Sequence, residues 1–336
     1  MNRRDFIRNL GYLAGGTTIA LSIPGCDLFS AKEVRFGISA DIHKDVIHDA
    51  DERLKAYLKE MKSRNPDFLM DLGEFAHPIE ANKGFLNIWN STGIKKHQVL
   101  GNHEMDKGTK QDFMNYVGME KPYYSFDQGD FHFIGLDPNN LLIDGEYIPY
   151  ANSNFYKPAE QRGYIDPEQL EWLRNDLEST DKPCIVFSHQ SLEHPGGCKN
   201  NEKVRATLEQ ANRESGFQKV IAAFSGHHHH DYARQINGIH YVQINSMSYH
   251  WVGDKYKYPE RFSGKINREH PYVQYTIPYR DPLFAFVKIK DGVIRIDGVK
   301  STFIEPGPEA LDIPEDIREH PIVARISDRT LNVQLL

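Results

Sequence analysis

At 336 residues, 39% hydrophobic and 26% charged, the chain can bury a full-sized core and has the balance of an ordinary soluble globular protein. Its net charge of −7 argues against broad binding of nucleic-acid phosphates, but leaves room for a small phosphorylated molecule held by metal ions.

The first 26 residues read as an export signal. Arg3-Arg4-Asp5-Phe6-Ile7-Arg8 supplies a basic start, and 11–23 is a mildly apolar stretch shorter than the roughly 20 residues of a spanning helix. The arginine pair resembles a twin-arginine signal. Ile23-Pro24-Gly25-Cys26 resembles a bacterial lipobox, with Cys26 as the lipidated first residue of the mature chain, although Pro24 is unusual there. The plain alternative is a chance arginine pair and an ordinary thiol. The expectation is an exported bacterial envelope protein, periplasmic or lipid-anchored. Cys184 sits in an apolar run and reads as a core thiol, and Cys198 lies in a glycine-rich loop. The two permit a disulfide outside the cytoplasm without establishing one.

From residue 30 to about 304 the pattern predicts one domain, followed by a Pro- and charge-rich tail, 305–336, packed on it or trailing it. Strands are predicted at 33–40, 68–72 and 97–100, alternating with helices at 49–64, 85–91 and 111–117, the first stopped by Pro66. Strands at 124–126 and 131–136 flank the turn Gln128-Gly129-Asp130. The polar, aromatic stretch 137–163 reads as one long loop that caps a site or covers a sheet. Asp166-Pro167 opens a helix with the stripe Leu170, Leu173 and Leu177. A strand at 184–187, a helix at 203–212 and strands at 220–224, 241–244, 283–289 and 293–296 complete the set, with Asp291-Gly292 as a hairpin turn. Two central sheets with helices outside satisfy this order.

Five clusters follow apolar, strand-like runs: Asp41-Ile42-His43, Gly73-Glu74, Gly101-Asn102-His103-Glu104, Ser188-His189 and Gly226-His227-His228-His229. Residues two apart in an extended chain share a face, so Asp41 with His43, and His227 with His229, can each reach one ion, leaving His228 and His230 on the other face. Imidazole and carboxylate donors without thiolates favour manganese, iron or zinc over calcium. Two ions about 3.5–4 Å apart can each bind a phosphoryl oxygen and activate a bridging water, provided one carboxylate bridges them, for which Glu74 is the candidate.

In this ordered set the chain resembles the calcineurin-like metallophosphoesterases, whose motifs are DxH, GD, GNH[DE], H and GHxH; the match runs from about Asp41 to His229, more loosely to Ile296. The resemblance implies an α/β fold, a four-layer α/β/β/α double β-sandwich, with a dinuclear site at strand ends. It implies that Asp41, His43 and His229 hold one ion, that Asn102, His189 and His227 hold the other, and that Glu74 bridges. His103 would face the phosphate as general acid or electrostatic stabiliser. The implied activity is hydrolysis of phosphomonoesters or phosphodiesters by a metal-bridging water. The only partner inferred is a small phosphorylated substrate, with no nucleic acid, no obligate protein and no membrane contact beyond the lipid anchor.

Two positions depart from the family pattern. The bridge is normally Asp, and Glu74 is one methylene longer, with Asp71 as a rival from the strand before it. Many relatives carry an Asp three residues after the bridge to orient the catalytic histidine, where this chain has His77; Glu104 and Asp106 are the nearby acids. A purple acid phosphatase would carry a tyrosine shortly after the bridge, where Phe75, Ala76 and His77 stand here. A cyclic-nucleotide phosphodiesterase and a non-enzymatic envelope binding protein on a degenerate scaffold are the other readings. His48, His97, His132, His194 and His240 read as surface or core histidines, with His194, which follows His189 on the same loop, the candidate exception. The segment 245–251 is either a substrate wall or a connecting loop with a packed Trp.

Overall fold

Strand β1 (Val34–Ser39) sets the layering, because its alternate residues face different neighbours. Val34, Phe36 and Ile38 point into a core shared with a second sheet. Gly37 points the other way, under the helix α1 (Ala50–Arg64), where an added Cβ would overlap Met61 Sδ and come 2.8 Å from the Tyr57 hydroxyl. The helix lies this close to the strand only because residue 37 has no side chain. Leu54, Tyr57, Leu58 and Met61 form its buried stripe, and it ends at Asn65, left-handed at φ 50°, immediately before Pro66. A computed structural model describes residues 32–314 and 320–334. The export signal expected at 1–26 lies outside the described residues, and among those described no helix is long and apolar enough to cross a membrane.

The chain continues through β2 (Phe68–Asp71), α2 (Lys83–Asn90), β3 (Lys96–Gln98) and α3 (Lys110–Val117), the last opened by a reciprocal Thr109–Asp112 cap. Strands β4 (Tyr124–Gln128) and β5 (Phe131–Leu136) form the expected hairpin. The stretch expected as one long loop instead carries a small three-stranded sheet of β6 (Asn140–Ile143), β7 (Glu146–Pro149) and β8 (Arg162–Tyr164). Its turn is Asp144-Gly145, both at positive φ, a hairpin signal hidden by the polar surroundings. Then come α4 (Pro167–Ser179), β9 (Cys184–Ser188), α5 (Asn201–Ser215) and β10 (Val220–Ser225). Asp166 caps α4 by accepting from the Gln169 amide, with Pro167 at the first helical position. Strands β11 (Tyr232–Ile236) and β12 (Ile239–Gln243) pair across Asn237-Gly238. After β13 (Tyr249–Trp251), α6 (Gly264–Glu269) and β14 (Thr276–Pro278), the chain closes with β15 (Ala285–Lys290), β16 (Val293–Gly298) and β17 (Arg329–Asn332).

Two six-stranded sheets result, ordered β17-β16-β15-β1-β2-β3 and β11-β12-β10-β9-β5-β4. In the first, β1, β2 and β3 are parallel; in the second, β5, β9, β10 and β12 are parallel. Their inner faces meet in an aromatic core in which Phe36 stacks on Phe68 and meets Phe133, Phe187 and Phe224 edge-on. Leu54, Tyr57, Phe85 and Trp89 bring α1 and α2 onto the outside of the first sheet, while Leu173, Leu177, Val204 and Leu208 bring α4 and α5 onto the second. The architecture is therefore the expected four-layer α/β/β/α double sandwich. Strand β17, from the tail, pairs with β16 and extends the first sheet. Cys184 and Cys198 are both buried free thiols.

Candidate metal centre

Every residue predicted for the site follows the carboxyl end of a parallel strand, where ligands collect in open α/β sheets. Asp41 and His43 follow β1, Glu74 follows β2, Asn102 and His103 follow β3, His189 follows β9, and His227 and His229 follow β10. Hydrogen bonds tie the two sheets together there. The His227 amide donates to the Asp41 carboxylate at 3.0 Å, and His189 Nδ1 lies 2.8 Å from the Leu72 carbonyl oxygen. Their convergence does not come from extended backbone, as expected from the spacing. The strands stop at Ser39 and Ser225, and Asp41, His43, Glu74, His227 and His229 all take left-handed backbone, with φ of 53°, 52°, 60°, 72° and 54°. Alternating left-handed residues aim positions two apart at one point in a tight loop. Each costs about 1–3 kcal/mol and persists only where the surroundings enforce it, which marks a functional site.

Asp41, His43 and His229 form one group, with donor atoms within 4.8 Å of one another. His43 Nε2 and His229 Nε2 are 3.3 Å apart, and Asp41 Oδ1 is 3.3 Å from His229 Nε2. In a second group, His189 Nε2 and His227 Nδ1 are 3.1 Å apart. Glu74 stands between the groups, with Oε1 3.1 Å from His189 Nε2 and Oε2 3.6 Å from His43 Nδ1. Asp71, its rival, is engaged elsewhere: it accepts from Ser39 Oγ at 2.9 Å and the Gly73 amide at 3.1 Å, and burial pushes it up to about 7. The extra methylene of Glu74 has a visible use, since Oε1 also accepts the amides of Asn102, at 2.6 Å, and His103, at 2.9 Å. This close approach explains the glycine in the third cluster, because a Cβ at Gly101 would overlap the Glu74 backbone nitrogen and come 2.6 Å from Oε1.

These residues suit a cation. Glu74 Oε2 and Asn102 Oδ1 are buried acceptors with no hydrogen-bond donor, an arrangement that is costly unless a positive charge faces them. Burial pushes His43 and His227 down to about 3, which leaves neutral imidazoles with a lone pair to give. Burial would also lower His189, but Glu74 overrides it and lifts His189 to about 9; a cation in that place would substitute for the proton.

His103 answers to Asp106. The carboxylate Oδ2 lies 2.7 Å from His103 Nδ1 and 3.9 Å from His77 Nε2, and His77 Nδ1 lies 3.3 Å from Asp45 Oδ1. Burial works against a charged His103, but Glu74 and Asp106 outweigh it and raise its pKa. His77, opposed in the same way by burial, is lifted to about 9 by Asp106 and Asp45, so it braces Asp106 as a cation. The acid beside His103 is thus Asp106, while the position of His77 holds an imidazole. The signal was the spacing: residues 103–107 form a 3₁₀ turn, in which i and i+3 eclipse. Glu104 is held up at about 8 by burial and by the charge of Glu74, and accepts the Phe75 amide at 2.9 Å.

A cavity of about 700 Å³ opens over this cluster, and Tyr156, Tyr249, Trp251, Tyr272 and Lys107 line it beside the predicted residues. Tyr272 and Lys107 lie outside the five clusters, and their neighbours in sequence do not mark them as cavity walls. The segment 245–251 lines the cavity through Tyr249 and Trp251 and is tied to the first cluster. Ser246 and Ser248 hydroxyls donate to the carbonyls of Asp41 and Ile42, while Tyr249 stacks on His43 at 5.1 Å. His228 turns away from the cluster and packs on His194 at 4.3 Å. His132 sits between Asp127 and Asp176, and His97 stacks on Phe126, both remote from the site.

A double sandwich carrying an imidazole and carboxylate cluster at its strand ends defines a metallohydrolase class. A family model described as calcineurin-like phosphoesterase matches residues 34–231, and the chain belongs to that family of metal-dependent phosphoesterases. It is 25% identical over 209 residues, 59% of this chain and 70% of the relative, to a 3',5'-cyclic-nucleotide phosphodiesterase of Nostoc sp.. In structure it resembles a dimetal phosphatase from Danio rerio, with TM-score 0.57 and 16% identity over 81% of this chain and 98% of that one. It also resembles Plasmodium GAP50, described as the anchor in the inner membrane complex, with TM-score 0.50 and 14% identity over 90% of each chain. At such identities the structural likenesses speak for the fold alone.

Proposed function

We propose that the chain is a dinuclear metal-dependent hydrolase of phosphomonoesters or phosphodiesters. The observation that carries this reading is Glu74, a buried carboxylate set between two imidazole groups with one oxygen lacking any donor. Asp41, His43 and His229 would hold one ion, Asn102, His189 and His227 the other, and Glu74 would bridge. Nitrogen and oxygen donors without thiolates suit manganese, iron or zinc. Bound there, the ions supply Lewis acidity toward phosphoryl oxygens and an activated water. The chain's own part lies in charge and proton placement. His103, held by Asp106 through Nδ1, presents Nε2 to the cavity and gives a proton to the departing oxygen or stabilises its charge. Asp106 keeps the ring oriented, and His77 with Asp45 keeps Asp106 charged.

Elemental analysis paired with hydrolysis of 4-nitrophenyl phosphate and bis(4-nitrophenyl) phosphate tests this. The expected result is about two ions per chain, with hydrolysis lost on chelation and restored by added manganese, zinc or iron. Two bound ions with neither ester turned over would favour a binding protein and overturn the enzymatic reading; the relative rates on the two esters decide between monoesterase and diesterase. On the strength of Arg3-Arg4 and Cys26 we also assign the protein to the cell envelope. In cells making the full chain, activity should fractionate with membranes or periplasm, and recovery in the cytoplasmic fraction would reject that assignment.

A further inference from the structure

Four large apolar or aromatic side chains are exposed among the described residues, and the two most exposed, Tyr156 at 61% and Tyr272 at 57%, line the same cavity over the metal cluster. Exposed aromatics scattered at random would not coincide in this way, and each stands on a pedestal. Tyr156 stacks on Phe155 at 4.8 Å, which stacks on Tyr150 at 4.8 Å, and both supporting rings are buried. Tyr272 lies 6.4 Å from Tyr275, which stacks on Trp251 at 5.7 Å. Supported rings of this kind offer a flat apolar face at small entropic cost. They come from separate parts of the chain, one after β7 and the other between α6 and β14, and both line the one cavity.

Position and charge narrow the ligand. The Tyr156 hydroxyl is 3.4 Å from His103 Nδ1 and 3.4 Å from Asp106 Oδ2, so this ring stands beside the His103–Asp106 pair, at the Nδ1 edge of the imidazole. Lys107 is the only lysine or arginine among the lining residues described, and the charge of His77, which also lines the cavity, is met by Asp45 and Asp106. A chain of several phosphates would meet too little positive charge beyond the metal cluster. The volume is within the range of about 300–1,000 Å³ common to small-molecule sites and far exceeds what one phosphate fills.

We propose that Tyr156 and Tyr272 clamp a planar heterocycle in the alcohol part of the substrate, so that the site takes nucleotides with a single phosphate, as monoester or cyclic diester. The inference rests on the phosphoesterase reading for its chemistry, but it can fail separately. With metal-loaded protein, kcat/KM is compared between adenosine 5'-monophosphate or 3',5'-cyclic adenosine monophosphate and glycerol 2-phosphate. Stacking on one aromatic ring is worth about 10–100-fold. Tyr272→Ala should therefore reduce the preference for adenosine esters over glycerol 2-phosphate by about that factor, mainly through KM, while Tyr272→Phe and Tyr156→Phe keep the preference. Ile148→Ala, at an exposed apolar position outside the cavity, serves as control. An unchanged preference in Tyr272→Ala, or equal losses on both kinds of ester, overturns the clamp. Should no ester be hydrolysed, the phosphoesterase reading falls and the clamp is judged by calorimetry. Adenosine 5'-monophosphate should bind at least about tenfold tighter than inorganic phosphate and lose that margin in Tyr272→Ala; equal affinities overturn it.

Discussion

Glu74→Ala is expected to leave the protein unable to hold both ions and to lower kcat/KM by about 10³-fold or more. The carboxylate reaches side chains of both imidazole clusters, with one oxygen 3.1 Å from His189 Nε2 and the other 3.6 Å from His43 Nδ1. Without it, two sets of buried imidazoles face each other with Asp41 as the remaining charge of the predicted set. Loss of the Asn102 and His103 amide bonds should also lower the stability of the metal-free protein by about 1–3 kcal/mol. Glu74→Gln separates the two effects. It keeps the volume and an oxygen for the amides but removes the charge, so it should fold nearly as well and still lose metal. Elemental analysis, thermal unfolding and turnover on the same samples check this. Glu74→Ala retaining two ions and near-normal turnover would shift the bridging role elsewhere, with Asp71 the first alternative.

His103→Ala should lower kcat by about 10²–10⁴-fold with metal content unchanged. None of the seven proposed ligands is lost, and the His103 amide that donates to Glu74 survives in alanine. Asp106→Asn should reproduce part of this, about 10–100-fold, and more on alkyl phosphates than on nitrophenyl esters, whose leaving oxygen needs little protonation. The sign of the pH effect follows from the charges. Burial opposes a protonated His103, while Glu74 and Asp106 raise its pKa above the ordinary value. Removing the Asp106 charge lets that pKa fall, so the alkaline limb of kcat should move to lower pH in Asp106→Asn. Turnover by His103→Ala equal to that of the parent would reject its role.

Much of the fold was readable because it depends on local pattern. Val34, Phe36 and Ile38 alternate as a strand must, Leu54, Tyr57, Leu58 and Met61 repeat as a helix must, and Asp166-Pro167 and Asp291-Gly292 are punctuation with a fixed backbone meaning. The region 137–163 hides its sheet because its strands are only three or four residues long and its turn signal, Asp144-Gly145, is embedded in polar sequence. The hairpin at Asn237-Gly238 carries the same kind of signal, but its first strand, β11, exposes Arg234 and Gln235 and so offers no apolar run to mark it.

At the site, residue type and order were enough to name a set of imidazole and carboxylate side chains that the fold brings together, because each cluster sits at a strand end. Order along the chain says nothing about distance across it. His43 and His229 are 186 positions apart and meet at 3.3 Å only because two parallel strand sets open on one edge. Left-handed backbone at five of the seven predicted ligands, the choice of Glu74 over Asp71, the bracing of His103 by Asp106 and the two tyrosines at the mouth all depend on packing between distant segments. Strain of that kind is held in place by tertiary contacts, and no stretch of sequence read alone encodes it.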